Sequence, residues 1–242
     1  MRKISVCIAT YNGARHIKQQ LCSILTQLSD IDEIIISDDS SNDETIELIE
    51  GINDSRIVLL REQKFKNPVY NFENALKHAT GDFIFLSDQD DVWDSQKVTV
   101  CRSYLEKFDL VLTDCSLVDN GLRMVKESFF DLNGSRSGIL RNLLIKNAYM
   151  GCCMSFKRKV SARAMPFPPN LPMHDLWLGL IAEVYFTPIF VPQKLVLYRR
   201  HLENASSSGF KSKNSFLKKV KIRMTIIILL VTKLIGSPFT NR

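Results

Sequence analysis

Apolar and polar positions alternate in blocks along the first part of the chain, and the blocks switch between strand and helix spacing. Residues 4–9 form a short apolar run of the kind expected in a strand buried on both faces. Residues 16–28 place Ile17, Leu21, Ile24, Leu25 and Leu28 at helical spacing. Residues 33–37, carrying Ile34-Ile35-Ile36, predict a second strand, and residues 43–52 a helix with Ser41 or Asn42 as N-cap. A third strand is expected over 57–60, a helix over 69–79 closed shortly afterwards by Gly81, and a fourth strand over 83–86. Strands joined by helical crossovers imply an α/β fold whose mostly parallel central sheet is flanked by helices on both faces.

The pattern loosens in the second half. Residues 95–107 read as a helix, 109–113 as a strand and 138–145 as a short helix. Residues 150–156 read as a strand, and 176–184 as a helix with Trp177, Leu180 and Ile181 on one face. Residues 189–198 return to extended structure. No internal repeat is visible, and no low-complexity linker precedes Ser206-Ser207-Ser208-Gly209.

Composition narrows the picture. The 242 residues suffice for one large α/β domain or two small ones, and 45% hydrophobic with 24% charged residues is ordinary for a folded chain. The formal net charge is +6, but the basic excess crowds late, at Lys211, Lys213, Lys218, Lys219, Lys221 and Arg223. That is a local feature, so no nucleic-acid partner is expected. The six cysteines form no C-x-x-C pair and sit mostly in apolar runs, which points to a reduced, cytosolic protein without disulfides or a zinc site. The apolar run 4–9 is too short for a secretory signal and leads straight into polar residues.

The strongest chemical signal follows the fourth strand. Asp88-Gln89-Asp90-Asp91 packs three carboxylates into four positions. Carboxylates this close repel one another unless a cation intervenes. A divalent ion with hard oxygen ligands removes that cost, and ligands bind at the C-terminal ends of strands in open α/β sheets. The cluster reads as a metal site facing a phosphate-bearing substrate; a solvated acidic turn is the plain alternative. An EF-hand loop is excluded, because the sixth position lacks Gly and the twelfth is Thr99.

Four further groups stand at element ends. Thr10-Tyr11-Asn12-Gly13 follows the first strand without a dinucleotide fingerprint or a P-loop. Asp38-Asp39 follows the second, where capping accounts for residues 41–43 but not for this pair. His174-Asp175 opens the Trp177 helix, a position that favours a carboxylate on structural grounds alone. Tyr198-Arg199-Arg200-His201 ends the last extended stretch, where Arg and His could meet a diphosphate or a metal.

The order and spacing of these groups resemble family 2 glycosyltransferases, the inverting enzymes with the GT-A fold. The bacterial rhamnosyltransferase-like subgroup that builds O-antigen or capsule is the most similar, over roughly residues 3–205. The resemblance implies a nucleotide-binding half (1–94) and an acceptor half (95–205), followed by a tail (206–242). It implies that Tyr11 stacks on or flanks the base, that Thr10 and Asn12 line the loop, and that Asp39 binds the base N–H with Asp38 supporting it or the ribose. Asp88-Gln89-Asp90 is similar to the family's D-x-D motif, with Asp88 on the ribose and Asp90 on Mg²⁺ or Mn²⁺. Asp91 would support the metal or the sugar, and His201 would complete the metal site. Asp175 matches the catalytic base, although His174 stands where an acidic residue is usual. The implied partners are a nucleotide-sugar donor, such as dTDP-rhamnose or a UDP-sugar, and a saccharide acceptor carried on a polyprenyl diphosphate.

The tail adds a basic stretch and then an apolar one. The uncharged run 224–232 is far short of the ~20 residues a spanning helix needs. It suits a surface-parallel helix, with Lys218, Lys219, Lys221 and Arg223 at anionic headgroups and residues 226–230 in the acyl boundary. This would place the protein on the cytoplasmic face of the inner membrane. A helix packed on the domain or on a second subunit is the alternative. Two other functions compete: a sugar-phosphate nucleotidyltransferase, whose Gly-rich basic loop is represented here only by Gly13 and Arg15, and a non-catalytic nucleotide-sugar-binding subunit.

Overall fold

The computed structural model describes residues 2–200 and 215–236. His201, and the expected boundary between residues 205 and 206, lie outside the described residues.

The first half follows the sequence pattern. Strands β1 (Ile4–Thr10), β2 (Glu33–Asp38), β3 (Ile57–Leu60) and β4 (Phe83–Asp88) pair in parallel in the order β3-β2-β1-β4. Helices α1 (Ile17–Leu25), α2 (Thr45–Glu50) and α3 (Pro68–His78) form the crossovers. Ile4, Val6, Ile8, Ile34, Ile36, Phe83 and Phe85 are fully buried, as a sheet covered on both faces requires. Helix α3 begins where Asn67 accepts a hydrogen bond from the Val69 N–H and Pro68 occupies the first turn.

The second half extends the same sheet with mixed polarity. It contains β5 (Val92–Trp93), α4 (Lys97–Leu105), β6 (Leu110–Val118), β7 (Met124–Lys126), α5 (Phe129–Asn133), β8 (Met154–Lys157), α6 (Arg158–Ala164), α7 (His174–Tyr185), β9 (Pro188–Arg199) and α8 (Phe216–Leu234). The sheet order continues β4-β8-β6-β9-β5, with β7 paired to β6. Strand β8 is antiparallel to β4 and β6, β9 is parallel to β6, and β5 is antiparallel to β9. The strand expected over 150–156 is divided: Gly151–Cys153 make one tight turn, and pairing starts only at Met154. The short helix expected over 138–145 is a π-turn, Arg141–Ile145. There the Asn142 amide donates to the Arg136 and Gly138 carbonyls and accepts from the Ala148 N–H, competing with regular helical bonding.

Helix α8 packs on the domain. Ile226 and Leu230 are buried, Arg223 donates to the Leu144 and Ile145 carbonyls, and Lys233 Nζ donates to Met165 O at 3.3 Å. The expectation that 226–230 as a block enters a lipid boundary is therefore corrected. Two of these five side chains face the protein, and Ile228 faces out. Among the described residues no helix is long and apolar enough to cross a membrane.

Asp109 joins three strands at the edge of the sheet remote from the acidic loop. Its N–H donates to Thr187 O and its carbonyl accepts from the Lys157 N–H. Its carboxylate meets Lys157 Nζ at 3.1 Å and Lys159 Nζ at 2.8 Å, and accepts from the Thr187 hydroxyl at 3.0 Å. Burial pushes this carboxyl up, but the two lysines and Thr187 outweigh it and hold the group at about 2, against an ordinary 3.8. A depressed folded pKa means stability that is present above the ordinary value and lost as pH falls toward about 2. We expect Asp109→Asn to lower unfolding free energy by about 1–3 kcal/mol at pH 7. The difference from wild type should shrink between about pH 4 and pH 2, as measured by urea titration.

Candidate functional site

The parallel register brings three strand ends to one edge. Thr10 pairs with Asp38 and Ala9 with Asp88, so the loops after β1, β2 and β4 emerge side by side. This is the edge at which open α/β sheets bind ligands.

Side chains lock these loops together. The Tyr11 N–H donates to Gln89 Oε1 at 2.9 Å, and Gln89 Nε2 returns a bond to Tyr11 O at 3.0 Å. A Cβ on Gly13 would strike Gln89 Oε1, so glycine is needed for this approach. Asn12, at φ 49°, donates its N–H to Ser41 Oγ, and its side-chain oxygen accepts from the Asn42 N–H. The N–H groups of Gly13 and Ala14 donate to Thr45 Oγ1 and Asp43 Oδ2.

The residues expected to hold a nucleotide divide into two groups. Tyr11 is 56% exposed and presents its ring at the loop surface. Asn12 is also exposed. Thr10 and Asp38 are each 1% exposed and turned inward. Asp38 accepts from Thr10 Oγ1 at 2.8 Å and from both the N–H and the hydroxyl of Ser41. These two support the loop and do not line it. Asp39 accepts from the Phe65 N–H at 2.7 Å and the Asn67 N–H at 3.2 Å, one on each carboxylate oxygen. It fastens the segment leading into α3.

The acidic loop is buried to different depths. Asp88 is partly exposed, Asp90 is 9% exposed and Asp91 is fully buried. Burial pushes the Asp88 and Asp91 carboxyls well above the ordinary range, and the neighbouring carboxylates add to the rise. For Asp88 those neighbours are Asp90 and Asp175, so Asp175 reaches the same patch from α7. Asp91 Oδ1 accepts from the Arg199 N–H at 2.9 Å, while Oδ2 is buried with no hydrogen-bond partner. Asp88, Asp91 and Cys152 offer ligand atoms within 4.8 Å of one another. A buried carboxylate oxygen without a donor, amid raised carboxyl pKa values, fits a cation; Asp88 and Asp91 offer the hard oxygens a divalent ion prefers, and the Cys152 thiol, pushed up by its hydrogen bond to Cys153 and by burial, does not.

Two cations support the loop from inside, and sequence reasoning placed neither there. Arg199 is 2% exposed. It donates to Asp90 O at 2.7 Å, to Asn120 O at 2.5 Å and to Gln19 Oε1 at 2.8 Å. The expectation that the arginines after β9 face a diphosphate is corrected for Arg199. Its two-residue pairing partner β5 leaves the loop against β9, so the guanidinium is enclosed. Lys97, fully buried, donates to Cys152 O at 2.8 Å and lies 4.9 Å from the Trp93 ring centroid. A lysine at the start of an ordinary helix carried no signal of this.

Asp175 sits at the N-terminus of α7, with Oδ1 accepting its neighbour Leu176 N–H at 2.6 Å. Burial raises its carboxyl to about 6. His174 stacks on Phe72 at 4.3 Å, and burial lowers it to about 4, so the ring is neutral at pH 7. A Cβ on Gly151 would come within 3.1 Å of His174 Nε2, so the Gly151 turn sits against this ring.

Comparison with known proteins agrees with this geometry. The pattern of glycosyl transferase family 2 matches residues 5–163. A dTDP-rhamnosyl transferase of Shigella flexneri is 38% identical over 232 residues, covering 88% of this chain and 79% of that protein. An Escherichia coli UDP-Glc:alpha-D-GlcNAc-diphosphoundecaprenol beta-1,3-glucosyltransferase is 27% identical over 214 residues, covering 86% and 81%. Among solved structures, S. aureus TarS 1-349 in complex with UDP-GlcNAc superposes with a TM-score of 0.71 at 18% identity, covering 98% of this chain and 68% of that one. A mannosyltransferase from Pyrobaculum calidifontis in complex with GDP-Man and Mn2+ superposes at 0.64 with 17% identity, covering 98% and 76%. The nucleotidyltransferase alternative falls with these matches. A mixed sheet of the GT-A type, with its loops and acidic residues gathered at one edge, and a family match over most of the domain lead to one conclusion: the chain belongs to glycosyl transferase family 2.

Proposed function

We propose that this chain transfers a sugar, with inversion, from a nucleoside diphosphate sugar to a hydroxyl of a saccharide acceptor carried on a polyprenyl diphosphate. The product would enter a cell-surface polysaccharide. dTDP-rhamnose or a UDP-sugar is the donor, in keeping with the relatives' names. The observation that carries the reading is Asp175: a carboxyl raised to about 6 and electrostatically linked to Asp88 in the acidic loop. Residues 1–94 form the donor half and 95–205 the acceptor half. The enzyme works as a peripheral protein on the cytoplasmic face of the inner membrane.

Each residue has a role that its surroundings favour. Tyr11 flanks the base, with Asn12 beside it in the loop. Asp39 keeps unused lone pairs after its two backbone bonds and accepts from the base N–H. Thr10 and Asp38 hold that loop from beneath. Asp90 and the donor-free oxygen of Asp91 would hold the metal, with Asp88 beside them at the ribose. Mg²⁺ or Mn²⁺ at this position would neutralise charge on the leaving diphosphate. Asp175 removes the proton from the acceptor hydroxyl as that oxygen attacks the anomeric carbon. The new C–O bond forms opposite the breaking bond to the diphosphate, whose oxygen leaves with the electron pair. The neutral His174 leaves the negative charge of Asp175 uncompensated, which keeps it basic.

Asp175→Asn retains the size and removes the basic oxygen. Transfer should fall on the order of a thousandfold, while donor affinity stays within about twofold. An Asn variant with wild-type turnover would place the base elsewhere. Asp175 acts only when ionised, so kcat should rise with pH through about 6 and level off above it. A profile flat from pH 5 to pH 8 would contradict this. Asp90→Ala should abolish metal-dependent donor binding in calorimetry while leaving the thermal transition in place. Full wild-type activity in excess EDTA would exclude the metal.

A further inference from the structure

Helix α8 turns an apolar face away from the protein. Leu217, Val220, Met224, Ile228 and Val231 recur at spacings of three and four, and are 39–78% exposed. Ile226 and Leu230, on the opposite side, are buried. A helix resting on a domain in water normally shows the reverse pattern. The face does not end with the helix. Arg223, which shares a helix side with Val220, bonds the Leu144 and Ile145 carbonyls of the π-turn. Those two side chains are themselves 53% and 63% exposed. The two elements therefore form one apolar surface, of the kind that marks an interaction site.

Charge indicates what covers it. The chain has no Asp or Glu from residue 132 to residue 174, and none from residue 204 to residue 242. Arg136 and Lys146 from the first stretch, and Lys218, Lys219 and Lys221 from the second, are exposed. An apolar face carried on two stretches that hold exposed cations and no carboxylate matches a bilayer with anionic headgroups, where the stripe enters the acyl boundary and the cations meet phosphates. A second copy would bring these cations against its own, with no carboxylate in either stretch to answer them. We propose that the outer stripe of α8, together with Leu144 and Ile145, is a single lipid-contact face that lays the domain on an anionic membrane. The inference deepens the proposed function and rests on its lipid-carried acceptor. The segment that supplies Leu144 and Ile145 runs directly into Gly151, which packs on His174 beside Asp175. Membrane contact and the catalytic base are thus joined by six residues of chain.

Flotation of the full chain with phosphatidylglycerol-rich vesicles tests the face, with pure phosphatidylcholine vesicles as reference. Wild type should bind the anionic vesicles and release as salt rises. Ile228→Glu and Leu144→Glu should each cut the bound fraction about tenfold without moving the thermal transition. Lys218→Gln with Lys219→Gln should weaken binding about fivefold per charge removed and flatten the salt dependence. Equal binding by both Glu variants would overturn the proposal. So would absence of wild-type binding at low salt, or a solution dimer that Ile228→Glu dissolves. Donor hydrolysis without vesicles is read separately. Binding with no hydrolysis supports the face and refutes the sugar-transfer reading.

Discussion

Mutual repulsion among four carboxylates is the constraint around which this structure is arranged. Asp88, Asp90 and Asp91 leave β4 together, and Asp175 approaches from α7. Water cannot screen Asp91, which is fully buried. The fold answers with cations that are themselves removed from solvent, Arg199 and Lys97, each fixed by backbone carbonyls. Burying such groups singly is costly, and burying them in contact with opposite charge offsets much of that cost. One Asp91 oxygen still meets no donor, and a dication would fit there.

The same edge is stiffened by neutral hydrogen bonds. Gln89 and Tyr11 exchange a reciprocal pair across the β1 and β4 loops, and Asn12 does so with the 41–42 segment. The middle residue of the acidic motif is thus a latch between the β1 loop and the carboxylates. Groups held on strand ends and tied to one another keep their spacing without a ligand, which lowers the ordering cost when a donor arrives.

The first four strands and three helices were legible in the sequence because burial on both faces writes uninterrupted apolar runs and clean helical spacing. In the second half α4, α7, β9 and the start of β6 were legible as well, but β5, β7 and α5 were not, because short strands owe their extent to partners. The two residues of β5 carry no period at all, and β8 begins only where β4 and β6 flank it. At the site, Asp88, Asp90, Asp91 and Asp175 were visible as carboxylates at element ends. Thr10 and Asp38 stood in the same kind of place, yet they satisfy each other inside the sheet edge. Arg199 was read as a diphosphate contact and Lys97 was not singled out, since nothing local announces an enclosed cation. The apolar composition of α8 was plain, but which of its faces meets the protein depends on contacts that local periodicity does not contain.

Strand β9 has a consequence for how this chain comes into being. Asp91 obtains its backbone donor, and Asp90 its guanidinium partner, from a residue more than a hundred positions later. A ribosome delivers β1 to β4 first, so their parallel pairing, which joins residues as far apart as Ile4 and Phe83, can precede the rest of the sheet. The acidic loop must then wait, self-repelling and open, until the last strand of the sheet has emerged and slid beside β6 past its two bulges. The acidic edge is therefore the final part of the domain to mature, and a chain halted before β9 would leave β5 and β6 without their partner and the loop unfinished.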